Sequence, residues 1–470
     1  MSVHPPGTRW YNAVWRWHFY AGLFCIPFVI WLACTGSIYL WRPQIEAWLD
    51  QPYEHLATTG PLASPDAQVA AALAAVPGST LDKYILPQSP GDAVQILVAR
   101  HGVDKRVYLD PHDLAILNVV TEEKRPMRLI FHLHGELLAG AFGSYIVETA
   151  ACWAIVMILT GLYLWWPRGR PGLAGVLYPR LRGGPRLIWR DIHATAGIWV
   201  SFLALFLILT GLPWAKGWGG YLGEVRQITG TAAHGPVDWT IGGKAPAPDA
   251  MLGEHAGHGA MAMPTPPIRA GDLARVITAV RPLGVAPPVL IAPPKRIGAP
   301  WKISSDAADR PLRSDLKVDG ASGRIVSRTD FAQRQWIDRV VGYGVATHEG
   351  QLFGLANQIL GTLTALFLIL LSVSGAVMWW RRRPQGLLGA PLPLSRPRFG
   401  GGLVAAIAAL GLYLPMFGAT LIATLLAERL VLRRLQAPRA WLGLAPGSPP
   451  RQRAPIALRA TSPAAGDNAR

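Results

Sequence analysis

Charge is sparse in this chain: only 16% of its 470 residues are charged, and acids are the scarcest, 28 Asp and Glu against 45 Lys and Arg. Beside 51% hydrophobic residues, so thin a charged surface excludes an ordinary soluble protein of this length. Cysteine is nearly missing. Cys25, Cys34 and Cys152 all fall inside apolar runs, which excludes a structural disulfide framework. No Gly-x-Gly-x-x-Gly follows a strand-like run and no Walker-type loop occurs, which leaves the chain without a nicotinamide, flavin or nucleotide site of its own.

What is present is long apolar sequence. Runs at 19–41, 143–166, 194–214, 352–380 and 403–427 each reach the roughly 20 residues that a ~30 Å hydrocarbon core requires. Trp41, Trp165, Trp166, Trp214, Trp379 and Trp380 stand at their ends as an interfacial belt. The first run has no small-residue cleavage site at its end and reads as a retained helix. An α-helical polytopic membrane protein is expected.

The net charge of +17 does not indicate a nucleic-acid partner, because arginine concentrates in short connectors. Arg168, Arg170, Arg180, Arg182, Arg186 and Arg190 lie within 167–190 with no acid among them. Arg381, Arg382, Arg383, Arg396 and Arg398 lie within 381–400. By the positive-inside rule both connectors, and the N-terminus with Arg9 and Arg16, are cytoplasmic. Residues 42–142 and 215–347 then lie outside. The fifth run conflicts with this, since a full crossing would put a basic tail outside; Pro415 at its middle keeps a re-entrant helix open.

The two outer segments repeat one pattern, the mark of an internal duplication. Helix-like 66–76 precedes apolar Tyr84-Ile85-Leu86 and strand-like 94–99 and 107–110; helix-like 272–280 precedes Val289-Leu290-Ile291, then 301–304 and 316–319. Asp66 to Ile96 is 30 residues and Asp272 to Ile303 is 31. Two small α+β modules are expected, within two parallel repeats related by an axis along the membrane normal. The division is a cytoplasmic N-terminus 1–18, first span 19–41, first module 42–133, second span 134–166 and basic loop 167–192. It continues with third span 193–214, second module 215–347, fourth span 348–380, loop 381–402, fifth or re-entrant helix 403–427 and tail 428–470.

Four histidines share this repeat. His18 lies 17 residues before Thr35-Gly36 and His193 lies 17 before Thr210-Gly211, while His134 lies 26 before Thr160-Gly161 and His348 lies 26 before Ser374-Gly375. An ionisable ring at a membrane helix marks a functional site. The symmetry puts His18 and His193 at one depth, near the inner face, and His134 and His348 at another, near the outer. Two imidazoles facing each other across a bundle suit the axial positions of a b-type haem, so two haems are expected. No Cys-x-x-Cys-His occurs, which excludes c-type attachment, and the thiolates or carboxylates expected beside zinc or copper are missing here.

Gly22 and Gly197, four residues after their histidines, and Gly140 and Gly354, six after theirs, leave room for a macrocycle or for close helix packing. Arg16 and Arg190 suit haem propionates, or simply obey the positive-inside rule. His132 lies about 200° around a helix from His134, so the two cannot face one site; register favours His134, and His132 remains the alternative. His255, His258, Met261 and Met263 form a loop suited to copper, or an incidental Gly/Ala-rich insertion. A helix from His18 to Thr35 rises about 25 Å, enough to set a wire across the membrane.

Arg16-Trp17-His18-x3-Gly22, His134 to Gly140, Thr160 to Trp166, Arg190-x2-His193-x3-Gly197 and His348-Glu349-Gly350 with Gly354 together resemble the PepSY-associated transmembrane family, over residues 10–385. The similarity is to its inner-membrane ferrisiderophore reductases in particular. It implies two periplasmic PepSY modules, b-type haems in the bundle and a bacterial inner membrane. It also implies reduction of a ferric siderophore or other metal chelate in the periplasm, with Fe(II) released because siderophores hold it poorly. Electrons would come from quinol or from a cytoplasmic flavin reductase. The fifth run and the basic tail depart from the family pattern. Two other functions stay open: a cupric reductase or copper-handling protein, and a non-enzymatic regulator of periplasmic proteases in which PepSY modules bind and the histidines hold nothing.

Overall fold

The computed structural model describes residues 6–57, 60–167, 172–231, 268–394 and 400–444. The first apolar run forms α1 (Pro6–Leu40), and Pro43 starts the short α2 (Arg42–Asp50). Ser64 caps α3 (Pro65–Ala75) by accepting from the Ala67 amide, satisfying one of the amides a helix start leaves bare. A meander follows, β1 (Thr80–Leu86), β2 (Val94–Arg100), β3 (Val103–Leu109) and β4 (Ile116–Thr121). Then come α4 (Pro126–Glu136) and the long α5 (Gly140–Trp165).

The second unit repeats the order. It comprises α6 (Pro185–Gly211), α7 (Lys216–Ile228), α8 (Asp272–Val280), β5 (Val289–Ala292), β6 (Trp301–Ser305), β7 (Ser314–Val318), β8 (Ile325–Asp330), α9 (Trp336–His348) and α10 (Gly354–Arg382). Three further helices follow, α11 (Gly401–Tyr413), α12 (Pro415–Ala427) and α13 (Gln436–Trp441). Among the described residues, five helices are long and apolar enough to cross a membrane: α1, α5, α6, α10 and the stretch Pro415–Leu432.

In the bundle, α1 packs against α5 and α10, and α6 packs against the same two, which sets α1 diagonally across from α6. All three cysteines are free. The two segments between the long helices are not separate bodies: their meanders join into one antiparallel sheet in the order β4-β3-β2-β1-β5-β6-β7-β8. The seam pairs Tyr84 with Ile291, Ile85 with Leu290 and Leu86 with Val289. Helices α3 and α8 cover one face, closing a core that holds Ala72, Ile96, Val107, Val276, Ile303 and Leu316. Among the described residues, pairing the two central strands leaves β4 and β8 as the edges of this sheet.

The fifth apolar run is broken at Leu414, where α11 ends and α12 begins. Gly411 and Gly418 let these two helices touch, since a Cβ on Gly418 would stand 2.8 Å from the Gly411 carbonyl oxygen. The tip of this hairpin, Leu414, packs with Leu212, Trp218 and Cys152. Its ends lie at the other end of the bundle. There the Tyr20 hydroxyl donates to the Leu442 carbonyl (2.5 Å), Arg16 donates to the Gly443 (3.1 Å) and Pro391 carbonyls, and Asn12 donates to Leu392 (3.1 Å). The first arm is 13 residues, about 20 Å, short of a bilayer core, whereas the second runs on to Leu432 as one apolar stretch of 18 residues. The chain thus enters and leaves this hairpin at the bundle end that carries Arg16.

Candidate functional site: two facing histidine pairs

His18 and His193 meet across the bundle diagonal with ring centroids 6.3 Å apart and planes at 78°. His134 and His348 meet at the end nearer the sheet, 6.4 Å apart and at 75°. Each ring is held by the opposite long helix of its own unit. The Nδ1–H of His18 donates to the Met157 carbonyl (3.0 Å) and to Thr160 Oγ1 (3.1 Å) on α5. That of His193 donates to the Leu371 carbonyl and Ser374 Oγ, both at 3.1 Å, on α10. His134 bonds Thr35 on α1 and His348 bonds Thr210 on α6, each at 3.0 Å.

The direction of these bonds fixes the tautomer. Every one of the four hydroxyls donates its own proton back along its helix: Thr160 to Val156 (2.7 Å), Thr35 to Trp31 (2.8 Å), Thr210 to Phe206 (2.8 Å) and Ser374 to Leu371 (2.9 Å). The oxygen can then only accept from the ring, so each Nδ1 carries the proton and each Nε2 keeps a free lone pair. A neutral imidazole with a bare Nε2 is the form that binds a metal.

The glycine beside each hydroxyl completes the seat. A Cβ would stand 3.0 Å from the His18 ring at Gly161, 3.0 Å from His134 at Gly36, 3.3 Å from His193 at Gly375 and 3.3 Å from His348 at Gly211. The hydroxyl sets the ring's orientation and the glycine admits it against the helix backbone. The Thr-Gly and Ser-Gly spacings are visible in sequence, but each leads from a histidine to a dipeptide other than the one its ring touches. Which dipeptide serves which histidine emerges only from the fold.

The remaining residues singled out from sequence fall as follows. His134 and His348 do not open the long helices; they close α4 and α9, and the chain turns before α5 and α10. Gly140 and Gly354 make those turns with φ of +56°, and a Cβ on either would meet nothing within 4 Å, so they serve the backbone. Gly22 and Gly197 lie at helix contacts, where a Cβ would make ordinary contact with Met157 Sδ (3.9 Å) or Leu371 Cδ1 (3.6 Å), the two residues whose carbonyls hold His18 and His193. His132 is turned to two carboxylates, with Nε2 2.8 Å from Glu123 and Nδ1 3.0 Å from Glu136. Burial raises the pKa of Glu123, but Arg128 and His132 beside it outweigh this and hold it below the usual carboxylate range.

Arg16 is committed to the carbonyls that anchor the C-terminal segment, and Arg190 to the buried Asp191 (2.7 Å), which Arg180 also grips (2.7 Å). Asp191 thus neutralises part of the basic connector just beyond its last arginine. His255, His258, Met261 and Met263 lie outside the described residues. Sequence reasoning missed Trp214 as a neighbour of the His134–His348 pair. Its ring is 6.1 Å from His348, and Arg310, reaching down from the sheet segment, lies 5.5 Å over it and 3.5 Å from Glu349.

A multi-pass membrane protein, built on a duplicated four-helix bundle with one histidine pair near each end, is what fold and site define. The chain belongs to the PepSY-associated TM region family, whose pattern matches residues 15–382. No curated protein matches it.

The seat geometry gives a first expected outcome. Thr35→Val removes the hydroxyl that orients His134 while keeping the shape, so a metal-centred group offered to the His134–His348 pair should bind about 10- to 100-fold more weakly, with the His18–His193 pair unaffected. Titration of purified protein with haem, read at each centre, checks this.

Proposed function

We propose that this protein is a haem-containing reductase of a bacterial inner membrane, passing electrons outward to a periplasmic ferric siderophore and so freeing iron as Fe(II). The observation that carries the reading is the pair of facing imidazoles, twice repeated, each with Nδ1 engaged and Nε2 free. The fit is metrical as well as chemical. The ring centroids stand 6.3 Å and 6.4 Å apart, close enough that the two rings of each pair could share one metal-centred group. His18 and His193 would hold the inner haem, and His134 and His348 the outer. Bound there, haem supplies reversible one-electron Fe(III)/Fe(II) chemistry.

The chain's own part is to keep four rings neutral and oriented, and to keep the two centres apart along the bundle, about 25 Å by the helix rise between His18 and Thr35. The arginines of the connectors favour a cytoplasmic N-terminus and a periplasmic sheet. On this reading the two halves of the sheet are PepSY modules, and the joined sheet stands over the outer centre, with Trp214 and Arg310 between them.

Protein reconstituted in vesicles with its sheet outward and reduced beforehand should be reoxidised by a ferric siderophore added outside. A spectrum that stays reduced under ferric chelate but responds to Cu(II) would replace iron by copper. Colourless protein would favour a regulator that only binds.

A further inference from the structure

The bundle carries an open cleft of about 440 Å³ between α6 and α10, lined by Trp189, Ala376, Val377, Trp379, Trp380 and Arg381. We propose that this cleft binds a membrane quinol, which delivers electrons to the centre held by His18 and His193. The proposal rests on the function inferred above and names its electron donor.

Position is the first argument. Trp189 precedes His193 by four residues on α6, one turn away on the same face, and Ala376 directly follows Gly375, which packs on the His193 ring. A ring seated in the cleft would therefore lie within a turn of the inner pair, at the Arg-rich end of the bundle. Its mouth is at the bundle surface, where Trp380 and Arg381 are exposed. The entrance therefore faces the bilayer near its interface, the layer from which a quinol comes.

Chemistry is the second. The walls are aromatic and aliphatic, with volume in the range of small-molecule sites. Among the described residues the indole N–H groups of Trp189 and Trp380 have no hydrogen-bond partner, whereas Trp379 donates to the Leu388 carbonyl (2.8 Å). Indole and guanidinium only donate, so Trp189, Trp380 and Arg381 match a ligand that offers oxygen acceptors on a flat apolar ring.

The third argument is a broken symmetry. The offset of 175 residues that relates His18 to His193 relates Val14 to Trp189, and the offset of 214 that relates Thr160 to Ser374 relates Leu162 and Tyr163 to Ala376 and Val377. In the first unit these positions carry a buried valine and two bulky side chains; in the second, α10 is pared down and α6 gains an indole. The duplication keeps the histidine seats in both copies and opens a cleft by thinning α10 beside one.

A hydroquinone oxidised in the cleft gives up two electrons, singly, to the His18–His193 centre and two protons to water at the Arg-rich face, leaving the quinone. Each electron finally reduces one Fe(III) chelate to Fe(II).

The test uses the double variant Ala376→Leu, Val377→Tyr, which places in α10 the side chains that the equivalent helix α5 already carries. Full-length protein in nanodiscs is mixed anaerobically with decylubiquinol while haem reduction is followed, and separately labelled with a photoreactive azidoquinone. Wild type should reduce, and should be labelled on peptides containing Trp189 or Trp379 to Arg381. The variant should lose labelling and slow in quinol-driven reduction by about tenfold or more, while dithionite still reduces it fully. Equal rates and labelling in the variant, labelling elsewhere, or displacement of the probe by phosphatidylglycerol as readily as by decylubiquinone would overturn the proposal. Cleft labelling in protein without haem would separate the outcomes, sustaining the cleft and removing the reductase function.

Discussion

Replacing His193 by alanine should remove one haem and leave the other, so that bound haem falls to about half. The loss falls on the inner centre because His193 faces His18 alone, at 6.3 Å, and the outer pair is held by different helices and different hydroxyls. His18→Ala should give the same spectrum, and His134→Ala and His348→Ala should give its complement. The double variant His18→Ala, His193→Ala should lose no more than either alone. Haem quantified by pyridine haemochrome across the four single variants checks the pairing. Losses that couple His18 with His134 would contradict the parallel arrangement of the two units.

Gly143→Ala should abolish the outer centre without touching a histidine. A Cβ at Gly143 would stand 1.7 Å from the Glu136 carbonyl oxygen and 3.1 Å from the Ala139 Cβ, so α5 cannot keep its seat on the end of α4. The obstacle is backbone, which cannot swing aside as a side chain would. His134 lies two residues before Glu136 and moves with it, losing Thr35 and its alignment with His348. The equivalent position in the second unit, Asn357, tolerates a side chain because α9 ends at its histidine whereas α4 runs on to Glu136; its amide bonds the Thr347 carbonyl at 3.0 Å. Haem content near half, with the inner spectrum retained, is the expected result. Two full haems in this variant would show that α4 is not clamped as described.

Much of the bundle is legible in sequence because apolar run length and arginine placement act locally, and the four histidines stand out because duplication copies their spacing. The break between α4 and α5 is hidden for a physical reason. Ahead of Gly140 the turn is carried by Leu137 and Leu138 at φ of +50° and +57°, in a left-handed region that leucine rarely enters; no proline announces it, and Gly135, the glycine just before, lies inside α4. Edge strand β8 is exposed along Ile325 to Thr329 and carries no alternating signal, although its neighbour β7 does. The seam between β1 and β5 joins segments two hundred residues apart, and nothing in either strand specifies the other over a separate pairing.

The site is legible as residue types and illegible as contacts. His134 and Thr35 come from different helices, and only packing shows that one orients the other. Arg16 and Arg190 illustrate the converse. Their placement before the histidines suggests an anionic partner, yet the fold gives one to the C-terminal segment and the other to Asp191. Pro415 pointed to a broken fifth helix, and the contact of Gly411 with Gly418 decides the form it takes.

The most direct measurement is an absorbance spectrum of the purified full-length protein, expressed with ample haem and quantified as pyridine haemochrome. A reducible Soret band corresponding to about two b-type haems per chain is expected. Protein that is folded, pure and free of iron porphyrin would contradict the paired-histidine centres and, with them, electron transfer through this bundle.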